Sequence, residues 1–223
     1  MAAVWKEYRL PFSRTYALAL GFAFGLATSS PAFSLNGLET LDQHNDCSVS
    51  IAAKTIEKSR AGNANANYEI ALQYLHTACG DIGVTFLKRA AKSSHPEAAM
   101  LIGEMSLEGD IEEQDLGAAA TYFRVAAEQD HIKGQRRLGM ALLWDGSSSA
   151  HVQEALFWLG SAAGAGDTTA ALTLGMLHQR GMHGVAQDDC TALYWYEAAN
   201  LMGFPDHAGF YAKLKIRTGH SCD

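Results

Sequence analysis

Four cysteines are the residues of this 223-residue chain best suited to covalent chemistry. Cys47 and Cys79 stand 32 positions apart, and so do Cys190 and Cys222. Such a set serves either metal binding or disulfide formation. Structural metal sites usually draw ligand pairs from short motifs such as Cys-x-x-Cys or His-x-x-x-His, and the chain contains neither. Disulfides fit better, and they call for an oxidising compartment. Four cysteines allow three pairings, and helix order selects among them. Cys47 opens an expected helical stretch over 47–59, and Cys79 follows the next helix, over 67–76. Cys190 begins a helix that carries Trp195, and Cys222 follows a terminal helix over 207–218. Antiparallel neighbours place the start of one helix beside the end of the next. The predicted bonds are therefore Cys47–Cys79 and Cys190–Cys222, one at each end of the array. In the chain-entropy model a loop of this length contributes about 3–4 kcal/mol.

The other chemistry-bearing residues lead to bland readings. His178 and His183 flank a loop five residues apart and read as exposed loop residues, not metal ligands. Glu112 and Glu113, with Asp110 and Asp115, make an acidic loop that suits the positive end of a following helix. The run Gly160 to Gly166 (GSAAGAG) follows an aromatic helix face and not a strand, so it is no phosphate cradle. No serine is followed three residues later by lysine, and G-x-S-x-G and H-E-x-x-H are absent. In the aromatic run 194–196, Trp195 reads as packing, leaving Tyr194 or Tyr196 for surface contacts. The sequence predicts no catalytic, cofactor-binding or metal-ligating residue.

The elements that must position these residues show in a period. Ile102-Gly103, Leu138-Gly139 and Leu174-Gly175 recur every 36 residues, as do Ala90-Ala91, Ala126-Ala127 and Ala162-Ala163. Phe86, Tyr122, Trp158 and Trp195 keep the same or nearly the same step. A fixed period of this size marks a solenoid, in which each unit buries its apolar face against its neighbours. Glycine inside a helix costs about 1 kcal/mol relative to alanine, so its return at 103, 139 and 175 predicts close approach of a second helix. Gly109, Gly146 and Gly181 suit helix ends. Asp115 and Asp188 suit N-caps. The expected architecture is all-α, a solenoid of antiparallel helix pairs. Its repeats are expected over 63–96, 97–132, 133–168 and 169–206, between an N-terminal capping region, 35–62, and a C-terminal capping helix, 207–223.

Residues 1–34 stand apart from this pattern. Lys6, Arg9 and Arg14 precede an apolar stretch, 16–27, that is short for a bilayer span, and Ala32-Phe33-Ser34 closes it with small residues. This is the layout of a secretory signal peptide with cleavage after Ser34. The chain's formal charge of −7 becomes more negative once those three basic groups leave with only Glu7. No Lys/Arg stripe suggests nucleic acid. The expected location is periplasmic or extracellular, with no membrane insertion after cleavage.

The repeats resemble Sel1-like repeats, relatives of the tetratricopeptide repeat. Gly184-Val185-Ala186-Gln187-Asp188 matches the family's G-V-x-x-D loop, followed by Ala192 and Trp195. Ala155, Trp158, Ala162-Ala163 and Gly166 match the unit before. Departures occur: Asp130 replaces a terminal glycine, 146–149 lacks the G-V-x-x-D loop, Asn200 replaces an alanine, and Ile70-Ala71 stands for Leu-Gly. The resemblance implies a right-handed superhelix that binds proteins as an adaptor, assembly factor or regulator of membrane signalling complexes. Restraint of a sensor kinase and support of flagellar motor assembly are two such roles. It also implies an alternative, since some secreted, cysteine-rich members are linked to β-lactam binding or hydrolysis; a secreted effector acting on host proteins is the other alternative for an exported chain. The first helix of each such unit usually lines the concave side. Off its packing face lie Met100 and Glu104, Arg136 and Met140, and Leu172 and Met176. These six form the expected contact strip for an envelope-associated protein partner, the methionines offering an adaptable apolar surface.

Overall fold

Helix starts repeat along this chain because the same local chemistry recurs at each. A computed structural model describes residues 49–109, 115–145, 148–204, 209–219 and 222. Ten helices follow in order among these residues: α1 (Ala53–Arg60), α2 (Ala64–Leu75), α3 (Gly80–Lys92), α4 (Pro96–Glu108), α5 (Leu116–Ala127), α6 (Ile132–Asp145), α7 (Ser149–Gly164), α8 (Thr168–Arg180), α9 (Asp189–Leu201) and α10 (Phe210–Thr218). The described residues contain no strand. Asp115 accepts a hydrogen bond from the Ala118 amide, and Asp188 accepts from the amides of Cys190 and Thr191. Both are N-caps, as their type and position imply. Asn63, His95, Ser148 and Asp167 cap other helices in the same way.

Each second helix ends on the same turn. Ser94, Asp130, Gly166 and Gly203 all have positive φ, at 58°, 56°, 95° and 87°. The next residue's amide returns to a carbonyl inside the finished helix: His95 to Ala90, His131 to Ala126, Asp167 to Ala162 and Phe204 to Ala199. Left-handed backbone is easiest for glycine and, among other residues, well tolerated by aspartate. Asp130 thus keeps the turn despite replacing the expected glycine.

Packing then joins α2 with α3, α4 with α5, α6 with α7 and α8 with α9 as antiparallel hairpins. Each hairpin meets the next through α3–α4, α5–α6 and α7–α8. Helices α1 and α10 pack on α2 and α9. The result is an α-solenoid. The N-terminal helix begins at Ala53 and the last at Phe210, both later than the sequence pattern suggests, whereas α2 begins earlier, at Ala64. The stretch 1–48, with the proposed leader and Cys47, lies outside the described residues, as do the acidic 110–114 and Gly146.

The glycines of the period behave as close-approach points. A Cβ added at Gly103 would lie 2.6 Å from the Phe123 ring, and one at Gly175 would lie 2.6 Å from the Tyr196 ring. At Gly139 it would meet Leu159 Cγ at 2.7 Å and the Ala155 carbonyl at 2.9 Å. These contacts correct the expected packing register. The side chains seated on the glycines are Phe123, Leu159 and Tyr196, and the equivalent Leu87 is also fully buried. Tyr122, Trp158 and Trp195, one residue earlier, are only half-buried. Tyr196 is 2% exposed and no surface contact, contrary to the sequence reading.

Candidate interaction surface

Two surfaces of the array are candidates, and they differ in what holds their side chains. On the first helices, equivalent positions carry Tyr68, Met100, Arg136 and Leu172, and one turn on Leu72, Glu104, Met140 and Met176. All but Leu72 are half-buried. Met100, Met140, Leu172 and Met176 pack against the hydrophobic clusters that run through the hairpins. The six strip residues thus share a face, but each is partly engaged within the solenoid.

The charged members of that strip are engaged more fully. Arg136 Nε donates to Asp167 Oδ2 at 2.9 Å, while the other oxygen of Asp167 caps α8. Arg137 Nε lies 2.6 Å from Glu104 Oε1, close as an ion pair though off line for a hydrogen bond. Each pair joins first helices of successive hairpins, α6 to α8 and α4 to α6. Burial pushes the Glu104 carboxyl above its ordinary value of 4.5, and the opposing pull of Arg137, Arg136 and Lys133 does not fully offset it. Three buried polar residues of the described core, Ser59, Asn67 and Gln135, have partners. Ser59 donates to Asn67 at 2.7 Å and Ser161 donates to Gln135 at 3.1 Å.

The second surface is the outward side of the second helices. Phe157 of α7 is 65% exposed and Tyr194 of α9 is 64% exposed. They occupy the same register of successive hairpins, where α3 and α5 carry Thr85 and Thr121. Each contacts the following tryptophan edge to face, at 5.0 Å between centroids. Beneath this row, Arg124 of α5 donates to Glu154 of α7 at 2.6 Å, and the Trp158 indole donates to the same oxygen at 3.2 Å. Partial desolvation raises the Glu154 carboxyl, but those two donors outweigh it and hold it below the usual 4.5. The expected contact strip lies on the first helices, whereas Phe157 stands on the second-helix side. The signal was available, since 157 and 194 share a register that the packing pattern does not use.

The cysteines mark the array's end. Cys190 and Cys222 form a disulfide with Cα atoms 5.2 Å apart, tying the start of α9 to the segment beyond α10. Arg217 of α10 adds an ion pair to Asp189 at 2.7 Å. Cys79 is also disulfide-bonded, and its expected partner Cys47 lies outside the described residues. Among the described residues no three His, Cys, Asp or Glu side chains converge as a metal site would require. His178 is half-buried and His183, with φ of 54°, is exposed. No helix among the described residues is long and apolar enough to cross a membrane.

Hairpins of this kind, stacked in register with a bulky side chain seated on each periodic glycine, define a helical-repeat scaffold. The Sel1 repeat model matches residues 60–79, 96–131, 132–167 and 169–204, more than half of the chain. The chain belongs to the Sel1 repeat family. Among solved structures it is similar to c5321, a protective antigen of uropathogenic Escherichia coli strains displaying an SLR fold. That likeness has 22% identity and a TM-score of 0.62, covering 74% of this chain and 36% of the antigen. It is also similar to a Sel1 repeat protein from Oxalobacter formigenes, with 24% identity and a TM-score of 0.54, covering 67% of this chain and 61% of that one. The chain thus spans about a third of the first protein's length and about three-fifths of the second's. Among curated proteins, no relative matches this chain.

Proposed function

We propose that this chain is an exported, non-enzymatic Sel1 repeat scaffold that binds a protein partner in the bacterial envelope. Its role there is that of an adaptor, assembly factor or regulator of a signalling complex. The observation that carries this reading is the first-helix face. Met100, Met140, Leu172 and Met176 remain half-exposed on it, while Glu104, Arg136 and Arg137 are tied between hairpins. A partner meeting this face finds apolar, deformable side chains on a backbone already braced by ion pairs, so little ordering cost falls on the scaffold. The leader of residues 1–34, cleaved after Ser34, and the disulfides support export to an oxidising compartment.

Cross-linking in intact cells, followed by identification of the captured protein, tests the reading. An envelope protein is expected, and Met140→Glu with Met176→Glu should abolish its capture. Capture that survives both substitutions refutes the strip. N-terminal sequencing of the exported chain is expected to begin at Leu35.

A further inference from the structure

The last turns of three successive first helices carry an acid, an aromatic and a base in one register. These are Glu108 of α4, Trp144 of α6 and Arg180 of α8, spaced 36 residues apart. All three are exposed, Trp144 at 45%. One turn earlier on the same helices stand Glu104, Met140 and Met176. The Glu104–Arg137 ion pair holds α4 beside α6, and Arg136 with Asp167 joins α6 to the start of α8. Charge is sorted along the face in the same direction. Helices α2 and α4 contain Glu69, Glu97, Glu104 and Glu108 and no lysine or arginine. Helices α6 and α8 contain Lys133, Arg136, Arg137 and Arg180, with Asp145 their one acid. That acid turns to His151 of α7 at 2.8 Å. Stacking is served by Ile102, Leu138 and Leu174, which are buried in the core, so it does not call for this row. A carboxylate in the last turn, as at Glu108, even opposes the helix dipole.

We propose that this row takes an extended partner segment with the charge order base, apolar, acid; the proposal rests on the first helices being the docking face. A lysine or arginine of the segment meets Glu108, an apolar side chain meets Trp144, and a carboxylate meets Arg180. Packed helices lie about 8–10 Å apart, a step that an extended chain covers in about three residues. The row therefore reads every third side chain of the segment. Tryptophan is among the side chains most often found as the energetic anchor of an interface, and Met140 and Met176 widen the apolar floor around it. Opposite charges on its two sides fix which end of the segment lies over α4. Charge disfavours other occupants. A nucleic acid or an anionic lipid surface would meet Glu97, Glu104 and Glu108 on α4. A second copy would bring a formal charge of −7 to a chain of the same charge, whereas a segment of balanced charge brings none.

NMR titration of the Trp144 indole at low salt, on the full chain with its disulfides intact, tests the charge order. The probes are three end-blocked peptides, Lys-Ser-Ser-Leu-Ser-Ser-Glu and its versions with lysine or with glutamate at both ends. The wild-type chain is expected to bind the mixed peptide at least threefold more tightly than either single-sign version. Glu108→Lys should turn the preference to the peptide with two glutamates, and Arg180→Glu to the one with two lysines. Both variants change exposed side chains and should melt as the wild type does. Trp144→Ala, read on the peptide signals, should weaken binding of the mixed peptide at least tenfold. A Trp144 signal that no peptide moves overturns the proposal, and so does a ranking that neither charge substitution changes. A dimer that Trp144→Ala dissolves would give the row to a second copy and overturn it as well. Envelope capture that Met140→Glu with Met176→Glu abolishes, but Glu108→Lys, Arg180→Glu and Trp144→Ala leave intact, sinks the charge order alone and spares the docking face.

Discussion

The outer faces of the first two complete hairpins and the last two differ sharply, although their inner faces are built alike. Thr85, Lys88 and Lys92 occupy the outer register of α3, and Thr121, Arg124 and Glu128 continue it along and just beyond α5. The same positions hold Phe157, Gly160 and Gly164 in α7, and Tyr194, Glu197 and Leu201 in α9. Inside, Leu87, Phe123, Leu159 and Tyr196 fill one position in all four. Stacking constrains only the side of a repeat that meets its neighbours. The outer side is free to diverge from one repeat to the next.

The largest test of this contrast sets two phenylalanines against each other. Phe123→Ala removes a fully buried ring from the notch over Gly103, and it should cost about 3–5 kcal/mol in urea unfolding. Phe157→Ala, outward, should change monomer stability by about 0.5 kcal/mol or less. Equal losses would dissolve the distinction between inner and outer faces.

Removing the terminal clamp comes next. Cys190→Ser with Cys222→Ser should cost about 3–4 kcal/mol in the chain-entropy model for a 32-residue separation. Hydrogen exchange should rise in α9 and α10 first, leaving α4 to α7 protected. Uniform exchange along the array would show that the last hairpin is no weaker than the middle.

Glycine substitutions sharpen the comparison with opposite signs. Gly139→Ala puts a Cβ against the Ala155 carbonyl and Leu159 and should destabilise by about 1–3 kcal/mol. Gly160→Ala should stabilise the monomer by about 0.5–1 kcal/mol. Thermal or chemical melts of the two proteins check the pair.

The smallest effect is in titration. Glu104, on the inner strip, should titrate above 4.5, and Glu154, on the outer side, below it. For Glu104 the folded state binds the extra proton, so its contribution to stability falls as pH rises from 4.5 through the raised folded value. For Glu154 the stabilisation is present above 4.5 and is lost as pH falls through the lowered folded value. Carboxyl-detected NMR titration reads both, and shifts of one sign would show that the two ion pairs share an environment.

The period, the helix pairs, the caps at Asp115 and Asp188, and the close approach at Gly103, Gly139 and Gly175 are legible in the residue order. These are local or periodic properties, set by backbone chemistry and spacing. The residue order also aligns Cys190 with Cys222, because hairpin order makes that contact predictable. Which of two adjacent bulky residues enters the core depends on how the hairpins pack. Tyr122 and Phe123, or Trp195 and Tyr196, are both apolar enough to be candidates. One residue turns a helix by about 100°, and the neighbour's position settles which side chain meets the glycine. Only the fold, too, showed that Glu104 and Arg136 are taken up by partners about thirty residues away, in neighbouring hairpins. The same holds for Gly160, where open space distinguishes it from five other helical glycines. A spacing pattern records that a residue is small, and only the packed neighbours record why.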